Sequence, residues 1–197
     1  MATIPAASHN TNINFITESL NISNNKLEEL PDGLLNFVNL KVLYCKLNKL
    51  KGILRNLPQH LVELDCDHNT ITQLDNDNLP QTLKILHCAN NFIHAIKHLP
   101  ESLEELYCNS NYIYNLDNLP PNLKKLDCSN MHDKLKQLNN LPESLTYLSC
   151  NGNNISQLDH LPPNIEELNC ISNKITQLDN LPNSIKILHC EFNNISQ

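Results

Sequence analysis

The chain has 197 residues, 40% hydrophobic and 18% charged, with no Trp, three Gly and a net charge of -7. That balance suits a folded soluble chain with few flexible linkers, and 14 basic residues in all argue against a nucleic-acid or anionic-membrane surface, which needs clustered cations. A basic or neutral protein partner fits better. The opening residues, MATIPAASHNTNINF, carry no basic n-region and no apolar run of signal length, and nothing later approaches the roughly 18 apolar residues of a membrane span. A cytoplasmic location is the expectation. Residues 1–19, with Ile13, Phe15 and Ile16, read as a segment capping the first unit of a repeat.

From residue 20 to 197 the sequence repeats about nine times, and the last unit is incomplete. The anchors are Ile22, Cys45, Cys66, Cys88, Cys108, Cys128, Cys150, Cys170 and Cys190, the cysteines spaced by 20, 21 or 22 residues. A Leu stands two residues before every anchor, from Leu20 to Leu188. Three residues after comes an Asn, from Asn25 to Asn193, in every unit but that of Cys128. Five after comes an aliphatic residue in the same eight units, and seven units open with Leu-Pro, from Leu57-Pro58 to Leu181-Pro182.

L-x-C has a period of two, which puts Leu and Cys on one face of a short strand. Proline lacks a donor and ends any ladder before the next strand. Each unit is therefore one strand and one return of roughly ten residues, too short for a full helix and suited to extended, turn or 3₁₀ structure. One unit cannot bury its apolar side alone, but stacked units share a core, and nine strands at about 4.8 Å make a parallel sheet about 40 Å long. The inward Asn satisfies backbone groups in the turn leaving each strand.

The pattern L-x-x-L-x-C-x-x-N-x-I-x-x-L resembles the leucine-rich repeat, with Cys for the third Leu. The twenty-residue unit opening LPxxLxxL is similar to the LPX-type repeats of bacterial effectors, and the wording LPxSLxxLxCxxNxI resembles most the leucine-rich repeat proteins of giant DNA viruses that infect amoebae. The resemblance covers about residues 20–195. It implies a leucine-rich repeat solenoid, formally of the α/β class, with a curved parallel sheet of about nine short strands, convex returns of extended, turn or 3₁₀ structure and little α-helix. It also implies a non-enzymatic protein-protein interaction module, acting in a host cytoplasm if the source is a virus or an effector. The ubiquitin-ligase activity that accompanies some LPX repeats is not carried over, because no cysteine lies outside the ladder.

The cysteines share the Leu face, so they read as small core hydrophobes. Neighbouring Cβ vectors point the same way, which disfavours disulfides. A line of thiols without a core His is not a zinc site, and buried thiols lack the exposure a nucleophile needs. No cofactor, metal or catalytic residue is assigned, and a thiol, metal or enzyme function is the least favoured alternative.

The residues three before, one before and one after each anchor face outward on the concave side. Tyr44, Glu63, Asp65, Asp67, His87, Glu105, Tyr107, Asp127 and Tyr147 are the candidate partner-binding residues there. Tyr supplies a large contact with a polar tip. Glu63, Asp65 and Asp67 beside His87 suggest an acidic pocket for a partner Lys or Arg. In the unit CSNMHDKLKQL, Asn130 or Asp133 is expected to replace the ladder Asn, with Met131 and His132 on a protruding rim loop. At the C-terminal end no polar cap follows Cys190, so Ile187, Leu188, His189 and Glu191 form an edge that a second copy could pair with.

Overall fold

The computed structural model describes residues 16–75, 78–132 and 135–196. Its strands are β1 (Ser19–Asn21), β2 (Val42–Tyr44), β3 (Lys51–Ile53), β4 (Glu63–Asp65), β5 (Thr70–Asp75), β6 (Ile85–His87), β7 (Ile96–Lys97), β8 (Glu105–Tyr107), β9 (Lys125–Asp127), β10 (Tyr147–Ser149), β11 (Glu167–Asn169) and β12 (Ile187–His189). Nine of these form one parallel sheet in the order β1-β2-β4-β6-β8-β9-β10-β11-β12. The register sets each Leu against the next: Leu20, Leu43, Leu64, Leu86, Leu106, Leu126, Leu148, Leu168, Leu188. This is the solenoid that the period of two and the twenty-residue repeat predict.

The core is the stack of Leu, Cys and aliphatic columns. Leu43 to Leu168 and Cys45 to Cys170 are buried throughout, as are Ile71, Ile93, Ile113, Ile155 and Ile175. Full burial of one such Leu stabilises by about 2 kcal/mol. Leu20 and Leu188, in the two outermost strands, are only partly buried, since among the described residues each strand pairs with one other, β1 with β2 and β12 with β11.

The Asn column binds consecutive units together. Asn111 Nδ2 donates to the carbonyls of Cys88 (2.9 Å) and Cys108 (2.8 Å), and its Oδ1 accepts the Ile93 N–H (3.0 Å). Asn69, Asn91, Asn153, Asn173 and Asn193 make the same bonds in their own units. Each thus satisfies groups on two turns at once, as the placement of an amide inside a turn requires.

Two backbone columns make the turns. The second residue after every anchor has positive φ: Asn24, Leu47, His68, Asn90, Ser110, Asn130, Gly152, Ser172 and Phe192. A second such column precedes Leu-Pro, at Asn56, His98, Asn118, Asn140, His160 and Asn180, where Asn tolerates the left-handed region best. The Pro carbonyl then accepts the N–H three residues on, as in Leu103 to Pro100 at 3.0 Å and Leu123 to Pro120 at 3.2 Å, which closes a β-turn.

The outer returns carry more strand than their length suggests. β3, β5 and β7 form a second parallel sheet of three strands, and one 3₁₀ helix spans Asp32–Asn36. Of the proposed N-terminal cap, Ile13 and Phe15 lie outside the described residues, and Ile16 is 76% exposed. Among the described residues no helix is long and apolar enough to cross a membrane.

Candidate functional site: the outward face of the nine-stranded sheet

Between the buried Leu and Cys columns, three outward rows cross the sheet. Sheet register aligns Val42, Glu63, Ile85, Glu105, Lys125, Tyr147, Glu167 and Ile187 in one row and Tyr44, Asp65, His87, Tyr107, Asp127, Ser149, Asn169 and His189 in the next. All nine candidate partner-binding residues therefore lie on one face, eight of the nine in these two rows beside their neighbours across strands. The inward columns hold the same residue types from unit to unit, whereas these rows change at every strand.

The centre of the face is a stacked pair. The rings of His87 and Tyr107 lie 4.5 Å apart and 4° from parallel. The Tyr107 hydroxyl donates to Glu105 Oε2 (2.8 Å), and Lys125 pairs with Glu105 at 3.0 Å. Partial burial, then the Glu105 carboxylate, push the Tyr107 hydroxyl above its ordinary range. Burial alone would push Glu105 up, but the bonds from Lys125 and Tyr107 outweigh it and hold its carboxyl below the usual value. Tyr107 is thus fixed in one pose, the arrangement a rigid contact residue needs.

Asp65 differs from expectation. It is only 6% exposed, pairs with Lys46 (3.2 Å) and accepts the Asp67 N–H (3.2 Å). It supports the face rather than presenting a free carboxylate, because its row neighbours Tyr44 and His87 flank it closely in register. Asp67 accepts the Ala89 N–H at 2.6 Å; burial raises its pKa, and that hydrogen bond opposes the rise. The Tyr44 hydroxyl is raised mainly by the charge of Glu63 beside it. Further along, Ser129 and Ser149 share a buried hydroxyl bond of 2.9 Å, and the Asn169 Oδ1 is buried without a partner among the described residues.

The cysteines sit inside, away from this face. All eight are free thiols, seven of them buried and Cys190 partly so. Burial pushes the seven buried thiols up, Cys170 to about 12. The Cys66 Sγ donates to the His87 carbonyl at 3.2 Å. Among the described residues no group of three His, Cys, Asp or Glu is placed to hold a metal ion.

The irregular unit corrects two expectations. Met131 does not protrude: it is fully buried, in the inward position that Asn occupies elsewhere. Asn130 does not replace the ladder Asn either, since it takes the left-handed turn position (φ 53°) common to all units. Asp133 lies outside the described residues. His132 is exposed and extends a rim stack that sequence reasoning missed: Phe92, Tyr112 and His132 lie over one another at 5.9 and 4.5 Å, with His94 against Tyr112 at 5.2 Å. The signal was present, since the first three all stand four residues after their anchors. A cleft of 530 Å³ on the outer side, lined by Glu28, Leu30, Lys51 and Arg55 among others, had no sequence signal.

At the far end, β12 pairs, among the described residues, with β11 alone. Ile187 is 47% exposed, Leu188 is partly buried, and His189 and Glu191 are exposed. Phe192, 82% exposed, adds an apolar group that the sequence reading did not include.

Comparison with known proteins agrees with this architecture. Residues 17–37 match the family model described as Leucine Rich Repeat. No curated protein matches the sequence. Among solved structures, YopM, a leucine-rich effector protein from Yersinia pestis, is 35% identical with a TM-score of 0.77, over 86% of this chain and 47% of that one. YopM from Yersinia enterocolitica is 27% identical with a TM-score of 0.67, over 91% and 48%. The functional domain of InlJ from Listeria monocytogenes, which includes a cysteine ladder, is 28% identical with a TM-score of 0.77, over 91% and 40%. The chain spans about half the length of these structures or less.

Proposed function

Taking the chain as a leucine-rich repeat solenoid, we propose that it is a non-enzymatic protein-interaction module whose working surface is the concave face of the nine-stranded sheet. The observation that carries this reading is the contrast between constant inward columns and outward rows that change at every strand, with the stacked His87–Tyr107 pair at their centre. Invariant packing supplies the scaffold; varied, well-ordered outward groups supply recognition. The likeness to effector structures and the LPxS wording together favour a host protein as partner and a host cytoplasm as the place of action.

Photo-crosslinking tests this reading. A photoreactive residue in place of Tyr44 or Tyr147 is expected to trap a protein partner in host extract, and the same residue in place of Tyr114, 61% exposed on an outer return, is expected to trap none. Crosslinks from the outer position alone contradict the assignment.

A second reading rests on β12, whose free edge and exposed Ile187 and Phe192 suit pairing with a second copy. In that case the mass in solution rises with concentration, and Leu188→Lys returns it to the monomer. A monomer at every concentration removes this reading.

A further inference from the structure

The charge of the concave face specifies the chemistry of its partner. Across the three outward rows stand seven carboxylates and two lysines, whereas the whole chain has 21 acidic and 14 basic residues. The face is therefore far more acidic than the molecule. Both lysines are already engaged, Lys46 with Asp65 and Lys125 with Glu105. Glu63, Asp67, Asp127, Glu167 and Glu191 pair with no Lys or Arg among the described residues.

Lysines on the neighbouring rim are engaged in the same way. On the rim before the strands, Glu104 is bridged by Lys84 (2.8 Å) and Lys124 (2.6 Å), and Lys186 pairs with Glu166 (2.9 Å). Glu104 and Glu166 on that rim are paired within the chain, whereas five of the seven concave carboxylates form no ion pair among the described residues. These five carboxylates run from β4 to just beyond β12, along the length of the face rather than in one spot.

We propose that the concave face takes a basic segment of its protein partner, whose Arg or Lys side chains complete the unpaired carboxylates. Arginine suits the face best, because its planar fork pairs with carboxylates through two bonds and stacks on rings such as His87 and Tyr107. Opposed charge of this kind steers encounter and rejects acidic competitors. The inference rests on the concave-face reading above.

The test uses a fluorescent arginine–serine repeat peptide, a glutamate–serine repeat as comparison, and anisotropy at physiological salt. Glu63→Gln, Asp127→Asn and Glu167→Gln together remove three concave charges. Glu101→Gln, Glu143→Gln and Asp179→Asn together remove three exposed ones on the returns and leave the same net charge. The concave triple variant is expected to bind the arginine peptide roughly tenfold more weakly, and the outer triple variant within about twofold of the parent. Thermal unfolding of each variant shows that the fold is kept. Equal losses in both variants, or equal binding of the glutamate peptide, overturn the proposal. Crosslinking separates the two levels: a trapped partner whose segment on Tyr44 or Tyr147 is not basic sinks this inference alone, whereas crosslinks only from the outer side sink both.

Discussion

At the scale of single residues, the ladder asparagines bear the highest cost of replacement. Asn111 is fully buried and serves four backbone groups, so Asn111→Ala strands the Ile93 N–H and reduces the bonding of the Cys88, Cys108 and Asn109 carbonyls. A buried group left without a partner costs about 1–3 kcal/mol, and the expected loss is about 3 kcal/mol in urea unfolding. Asn193, at the less buried end, makes the same bonds near solvent, where water takes over, so Asn193→Ala is expected to cost about 1 kcal/mol. Equal losses would show that the column is not working through burial. The thiols make a second test. Cys170 is raised by burial to about 12, against about 8.5 in an unfolded chain. The folded state keeps its proton longer, so this contribution is complete below about pH 8.5 and is lost as pH rises from there toward 12. The urea midpoint is expected to fall between about pH 7 and about pH 10; a midpoint that rises contradicts the buried ladder. In native thiol labelling at neutral pH, Cys190 should react first, being the one cysteine that is not fully buried; early labelling of Cys108 or Cys128 would contradict the core position of the column.

At the scale of the repeat, the turn geometry decides which substitutions a unit accepts. Every unit turns through a positive φ two residues after its anchor, yet Gly holds that place only at Gly152. There a Cβ would collide with Asn130 Oδ1, although Ser172 and Ser110 adopt the same backbone freely. Gly152→Ala is expected to cost about 1–2 kcal/mol, and Asn130→Ala in the same chain to recover part of it; a neutral Gly152→Ala would show that Asn130 moves aside without cost. The strand and the Asn turn were legible because each repeats one residue type in one column. The left-handed column was not, since Leu47, His68, Ser110 and Phe192 share no chemistry and take that conformation because the closed turn demands it. Nor was the role of the Ser in LPxS: Ser144 and Ser184 each donate to carbonyls of the preceding unit at 2.7 Å. Parity alone also misled for Asp65, which points outward and is nevertheless covered by its neighbours.

At the scale of the whole molecule, each unit touches only the next, so the fold is held by a sum of similar interfaces. That leaves the outward rows free to differ, because the apolar core cluster is built from the inward columns and includes none of their residues. The face on which the candidate residues fall was legible from alternation; the His87–Tyr107 stack and the rim stack at Tyr112 required coordinates, because ring pose follows from neighbours across strands. The most direct measurement is the affinity of the crosslinked partner, once purified, for Tyr107→Ala and for Tyr114→Ala. A central contact residue is worth about 2 kcal/mol or more, so Tyr107→Ala is expected to weaken binding by about thirtyfold with its unfolding midpoint little changed, while Tyr114→Ala binds as the parent does. Unchanged affinity for Tyr107→Ala, with a loss at Tyr114, would contradict the concave face as the working surface.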